Sequence, residues 1–205
     1  ETLKYDNVES VTLVDLDPAI TELFSTAPPL LDLNAGALKS PRVKIFNADA
    51  LQWLEDNREH FDFIVIDFPD PANFALGKLY TSAFYRLLEK RLSAHGLIVV
   101  QSTSPLYARQ SYWCVVGTLE DVGFKTAPYH ALVPSFGEWG YIIAGRQNFE
   151  NITVNAEKTR FLTPETSKAL FHFPADMARV PAEVNRLNNQ VLVRYFEQEW
   201  RKVIR

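Results

Sequence analysis

A chain of 205 residues has room for one α/β domain with a small appendage, and a charged fraction of 22% against 47% hydrophobic residues excludes a disordered chain. Lys and Arg number 21 against 25 Asp and Glu; a formal charge of -4 gives no electrostatic attraction to nucleic acid or an anionic membrane, and neither is expected as a partner. One cysteine, Cys114, excludes an internal disulfide, so the chain reads as belonging to a reducing compartment and a cytoplasmic location is expected, and no apolar run approaches the roughly 20 residues of a membrane helix.

The chain starts at Glu1 and its only methionine is Met177, so it reads as a piece of a longer protein. Ser10 to Val14 is a β-branched and apolar run that predicts a strand, and Asp15, Asp17 and Pro18 stop it and start a helix reaching Phe24. Pro28, Pro29, Asn34, Gly36 and Pro41 predict a loop over 25–41 with at most a short helical turn. Val43 to Phe46 is a second strand, and Asp49 can cap a helix carrying Leu51, Trp53 and Leu54. Phe61 to Ile66, apolar except for Asp62, predicts a strand covered by helices on both faces.

Phe84, Leu87, Leu88 and Leu92 mark a helix over 81–92, and Gly96 ends the turn before a strand from Leu97 to Gln101. A longer helix follows from Tyr107 to Val122, with Cys114 in its core. Lys125 to Val133 and Trp139 to Gly145 then read as an antiparallel hairpin. Beyond Arg146 the alternation stops. Residues 148–164 read as a connector, followed by helices over 164–170 and 181–204, the second with Leu192, Phe196, Trp200 and Val203 on one face that must dock. The domain division expected is 1–146 for the α/β domain and 147–205 for a C-terminal helical extension.

Alternating strands and helices predict a doubly wound, Rossmann-like sheet, whose ligands bind outside the carboxyl ends of the strands. Those ends carry Asp15 and Asp17, then Asp49, then Asp67 and Asp70, then Gln101. Asp15, Asp17 and Asp49 could each cap a helix, and Asp67 and Asp70 could form an Asp-Pro turn; together they favour a site for a cationic, hydroxyl-bearing ligand. The four histidines, His60, His95, His130 and His172, lack metal-ligand spacing and read as surface or loop residues, so no metal is expected.

The segments VTLVDLDPAI and NADALQW resemble the ribose-binding and adenine-binding strand ends of the S-adenosylmethionine-dependent methyltransferase and spermidine synthase superfamily. FIVIDFPDP is more specific: it looks like the D-x-x-D-P motif of the polyamine aminopropyltransferases, and the resemblance continues through LYTSAFYRLL, GLIVVQSTSP and GYIIAG, over about Glu1 to Gly145. The C-terminal segment resembles that of bacterial spermidine-synthase-like proteins with an N-terminal membrane region, which implies an upstream membrane region in the parent chain that would anchor it in the inner membrane.

This resemblance implies transfer of an aminopropyl group from decarboxylated S-adenosylmethionine, a co-substrate rather than a permanently bound cofactor, to an amine such as putrescine. Asp67 would be the general base and Asp70 the anchor of the amine, with Pro69 and Pro71 stiffening the loop. Asp15 would accept hydrogen bonds from the ribose, Asp49 would read the adenine amino group, Ala50 would pack on the ring and Leu79 would be an apolar neighbour. Gln101 would contact the amine.

Two positions depart from the family pattern. None of the eight glycines supplies the glycine-rich motif that ends the family's first strand, and that strand is also missing from the sequence, so the 205-residue chain is expected to be inactive alone and to form homo-oligomers. In the hairpin turn Phe136 stands where these synthases usually carry a Tyr. The rival readings are a methyltransferase on the same fold and a non-catalytic domain that binds a nucleoside or polyamine. A methyl acceptor without positive charge has little use for the paired carboxylates of the Asp-Phe-Pro-Asp-Pro loop.

Overall fold

The computed structural model describes residues 1–149, 152, 159 and 161–203. The chain divides into two compact units, Glu1–Arg58 and Glu59–Arg205.

In the first unit, strand β1 (Val11–Asp15) leads into helix α1 (Pro18–Thr26), and strand β2 (Val43–Asn47) into helix α3 (Ala50–Asp56). The two strands pair in parallel, Val11 with Val43 through Asp15 with Asn47. Asp17 caps α1, accepting the Ala19 N–H at 2.8 Å, with Pro18 at the first helical position where a missing N–H costs nothing. The loop expected over 25–41 is instead a helix, α2 (Pro28–Asn34), followed by a short 3-10 turn at Ala37–Lys39. Two prolines opened this helix rather than preventing it, because both sit in its first turn, and Ala35 and Gly36 end it in left-handed conformations at φ 53° and 66°.

The second unit holds a four-stranded sheet in the order β3-β4-β6-β5, formed by β3 (Phe61–Ile66), β4 (Leu92–Gln101), β5 (Lys125–Val133) and β6 (Gly137–Gly145). β3 and β4 are parallel; β6 runs antiparallel to both β4 and β5, as the expected hairpin requires. The strand predicted to begin at Leu97 begins at Leu92. Phe61 pairs with Leu92 and Phe63 with Leu97, so Ser93 to Gly96 form an excursion inside the strand instead of a turn before it.

β3 is not covered on both faces as expected. Phe63 is 54% and Val65 60% exposed, while Ile66 is buried. Among the described residues β3 has one strand partner, β4, and so presents a free edge.

Helix α5 (Ser82–Arg91) is capped by the Thr81 hydroxyl and buries Phe84, Tyr85 and Leu88. Helix α6 (Arg109–Val122) is the hub of the core: Tyr112, Cys114, Val116 and Leu119 are fully buried, and Gly123 at φ 107° terminates it. Burial pushes the Cys114 thiol up to about 12, which leaves it a core group without thiolate chemistry.

After the hairpin, a capping box at Thr163 starts the short helix α7 (Pro164–Ala169), and α8 (Val191–Val203) packs on α6 with Leu192 and Phe196 buried. Val203, expected on the docked face, is exposed at the helix end. Glu199 of α8 clamps the start of α6, accepting the backbone N–H of Gln110 and of Ser111 at 2.7 and 3.0 Å and the Ser111 hydroxyl at 2.6 Å.

The helix predicted over 181–204 is confined to its second half. Asn189 accepts the Arg186 N–H and donates to the Val184 carbonyl, and Gln190 sits at φ 38°, so side-chain hydrogen bonds hold 184–190 in an irregular path. Most of the connector expected over 148–164, and Ile204, lie outside the described residues.

Candidate active site

In the second unit, Asp67 is the first residue beyond β3, whose last residue, Ile66, pairs with Val100. The next residue of β4, Gln101, pairs with Tyr141 of β6. Asp67 and Gln101 therefore lie at the carboxyl end of the parallel pair, with Tyr141, in the middle of β6, level with them on the neighbouring strand. From there the chain enters the Asp67–Asn73 loop. Pro69 and Pro71 fix its backbone, Asn73 caps the one-turn helix α4 (Phe74–Gly77), and Tyr80 reaches back to donate its hydroxyl to the carbonyls of Phe68 and Pro69, each at 3.1 Å.

The two carboxylates sit in different environments. Asp67 is exposed, whereas Asp70 is half-buried, and burial raises its carboxyl to about 6. At neutral pH Asp70 is mostly ionised, and an ammonium group arriving beside it would restore the charge balance lost on leaving water. Burial holds the Tyr80 phenol far above its usual range, and the charges of Asp70 and Asp67 raise it further, so its hydroxyl is a permanent neutral donor. Tyr141 is raised by burial and by Asp67, and its ring stacks on Tyr129 at 5.2 Å.

The β5–β6 hairpin projects past the end of β4. Phe136 is at its turn, five residues before Tyr141 and thus up to roughly 17 Å further along the strand direction. Its ring is 61% exposed and leans on Trp139 at 5.3 Å; the buried Trp139 indole N–H has no hydrogen-bond partner among the described residues. Leu79 is half-buried on the 3-10 turn Lys78–Tyr80. His130, expected at the surface or in a loop, lies in β5, where Glu138 meets its Nδ1 at 2.5 Å and the His172 carbonyl its Nε2 at 2.7 Å. No group of three or more His, Cys, Asp or Glu among the described residues could hold a metal ion.

The first unit gathers the other acidic strand ends. Asp15 closes β1 opposite Asn47, and its backbone carbonyl accepts the Ala48 N–H at 3.0 Å, which brings Asp49 and Ala50 close after the same strand end. Asp15 uses Oδ1 to accept the Asp17 N–H at 2.8 Å, and Asp49 uses Oδ1 to accept from Leu51 and Gln52 as the cap of α3. Asp15 is thus not a helix cap, while Asp49 is one, as the sequence allowed.

The sequence model of the spermine/spermidine synthase domain matches residues 1–156. The chain belongs to that family. It is 54% identical over 207 residues to polyamine aminopropyltransferase 2 of Ralstonia nicotianae and 50% identical over 204 residues to the polyamine aminopropyltransferase of Leptospira interrogans, in each case over 100% of this chain and 41% of the relative. The chain therefore spans about two fifths of the length of these curated relatives. Among solved structures it is similar to spermidine synthase from Thermotoga maritima, with a TM-score of 0.73 at 23% identity over 85% of this chain and 60% of that one. A spermidine synthase in complex with the transition state analogue AdoDATO superposes with the same TM-score at 24% identity, over 85% of this chain and 61% of that one. At these identities the two structures establish the fold, the methyltransferase-like, Rossmann-like α/β type expected.

Tyr80 and Tyr141 did not stand out in the sequence. Tyr141 could have been found, because the second strand of a terminal hairpin must pair with the last parallel strand and so carries side chains to its end. Tyr80 carried no such signal. In LYTSAFY it reads as one more apolar residue before a helix.

Proposed function

We propose that this chain is the catalytic part of a polyamine aminopropyltransferase, using decarboxylated S-adenosylmethionine and an amine such as putrescine. The observation that carries the reading is the Asp67–Asp70 loop: two carboxylates, one exposed and one half-buried, on a proline-stiffened loop beside Gln101 at the carboxyl end of the sheet. An amine acceptor brings positive charge to the reaction, and so does the sulfonium of the donor. A site for both needs anions, which a methyl acceptor without charge would not.

In the step proposed, the ammonium of the amine gives a proton to Asp67, and the freed nitrogen lone pair attacks the aminopropyl carbon bonded to sulfur. A C–N bond forms as the C–S bond breaks, its electron pair returns to sulfur, and the neutral thioether methylthioadenosine leaves. Carboxylates are weak bases toward an ammonium, so orientation of the amine must supply much of the rate. Asp70 anchors the distal cationic end of the amine and Gln101 its polar contacts. Phe136 would line the amine path with a ring and no phenolic donor, which widens the range of acceptors the site could take. Asp15, Asp49, Ala50 and Leu79 keep the nucleoside roles that the resemblance implies.

The division into a synthase domain over 1–146 and an extension over 147–205 belongs to this reading, as does self-association, which is supported by the free β3 edge with Phe63 and Val65 exposed. Among the described residues no helix is long and apolar enough to cross a membrane. A cytoplasmic location is the expectation from the single cysteine, an upstream membrane region in the parent comes from the resemblance alone, and fractionation of the intact protein tests both. The test of the activity is steady-state turnover of the intact protein with decarboxylated S-adenosylmethionine and putrescine, followed by release of methylthioadenosine. Turnover that Asp67→Asn abolishes supports the reading; an intact, folded protein that releases none contradicts it.

A further inference from the structure

The segment after the hairpin reaches the proposed amine site through one fully buried residue. Asn185 has every polar group occupied. Its backbone N–H donates to the Thr118 hydroxyl at 2.9 Å, and its carbonyl accepts the Ser82 N–H at 2.9 Å. Its side-chain amide donates to the carbonyls of Gly77 and Tyr80 at 3.2 and 3.1 Å, and its Oδ1 accepts the Leu192 N–H at 3.3 Å. Residues 185 and 80 are thus joined across 105 positions of sequence. A buried amide with this many partners has one position, because each broken bond would leave a polar group unsatisfied.

What that position fixes is the backbone that carries Tyr80. The Tyr80 ring is buried, meets Phe68 edge-on at 6.3 Å, and places its hydroxyl on the carbonyls of Phe68 and Pro69. These are the two residues between Asp67 and Asp70. One hydroxyl therefore grips the whole span separating the carboxylates, and among the described residues no other side chain donates to those two carbonyls. Phenylalanine would fill the same volume without gripping anything.

We propose that Tyr80 is a positioning residue that sets the spacing and burial of the Asp67 and Asp70 carboxylates, and that Asn185, from the C-terminal segment, holds Tyr80 in register. The assignment rests on the reading of the Asp67–Asp70 loop as the amine site. It makes the C-terminal segment part of the catalytic framework: the same stretch that seats α8 against α6 also fixes the loop on which the amine is held.

The test compares Tyr80→Phe and Tyr80→Leu in the intact protein, with melting temperature as the control for folding. Two quantities are read: kcat/KM for putrescine against KM for the nucleoside co-substrate, and the titration of the Asp70 carboxyl carbon by NMR. The titratable groups facing this region are Asp67, Tyr80, Tyr141 and Asp70 itself. Loss of one net hydrogen bond predicts a roughly three- to tenfold fall in kcat/KM for the amine in Tyr80→Phe, with the co-substrate KM unchanged. The loosened loop admits water to Asp70, so its midpoint falls from about 6 toward the ordinary carboxylate range. If Tyr80→Phe matches the parent in both readouts while Tyr80→Leu alone is impaired, the residue only packs and the proposal is overturned. If the unsubstituted protein transfers no aminopropyl group, the functional reading fails separately, and the Asp70 titration still decides what the Tyr80 hydroxyl does.

Discussion

Asp70→Asn isolates the energetic consequence of placing a carboxylate in a half-buried loop. Burial raises the Asp70 carboxyl from 3.8 to about 6, so the folded protein binds this proton more tightly than the unfolded chain does. The stability associated with the neutral carboxyl is therefore fully present below about pH 4 and is lost as the pH rises through about 6. At about 1.4 kcal/mol per pKa unit, a shift of this size corresponds to about 3 kcal/mol, and solvent screening at a partly exposed group reduces it to about 1–2 kcal/mol. Asn keeps the shape and carries no charge. Asp70→Asn should thus melt a few degrees above the parent at pH 7.5, and the gap should shrink to about a third of that at pH 4.5. The same substitution should raise KM for the amine, because the charge partner of the distal ammonium is gone. Thermal melts at the two pH values, paired with amine saturation curves at pH 7.5, provide the check. A variant less stable than the parent at pH 7.5, or a gap that does not change with pH, would refute the account of Asp70.

Asp67→Asn should lower the aminopropyl transfer rate by about 10² to 10⁴ while leaving co-substrate binding nearly unchanged, and single-turnover kinetics beside calorimetry separate the two. Gly77→Ala should destabilise the fold by about 1–3 kcal/mol, seen as a lower melting midpoint, since its new methyl group would lie 2.6 Å from Val193 Cγ2 and 2.8 Å from Gln190 Oε1. The 205-residue chain should self-associate through the free β3 edge, and Phe63→Lys should weaken that association; sedimentation velocity showing a monomer at all concentrations in the unsubstituted chain would dismiss the edge as the cause.

The strands were the most legible part of the sequence. β1, β2 and β3 are short runs of β-branched and apolar residues stopped by Asp or Asn, and stopping is a local event that local residues decide. Their ends could be read for the same reason, and the structure brings two of the strand ends read in this way, Asp67 and Gln101, to neighbouring strands. The helix at Pro28–Asn34 was missed because proline is informative only once its position within a helix is known. The irregular path at 184–190 was missed for a different reason: Asn185 and Asn189 prefer tertiary and turn hydrogen bonds over a helix that the apolar spacing alone would allow. Tyr80 belongs with these. Its importance comes from a backbone carbonyl pair 11 and 12 residues away and from an amide 105 residues away, and no window of sequence contains that information.

The most direct test of the central claim is to ask which carbon leaves sulfur. Decarboxylated S-adenosylmethionine labelled with ¹³C in the aminopropyl chain, and in a second preparation in the methyl group, is incubated with the intact protein and putrescine, and both products are analysed by mass spectrometry. The account predicts that the aminopropyl label moves to the amine, giving spermidine, while the methyl label stays in methylthioadenosine in equal amount. Methyl label on the acceptor, or no labelled amine from a protein that binds both substrates, would contradict it.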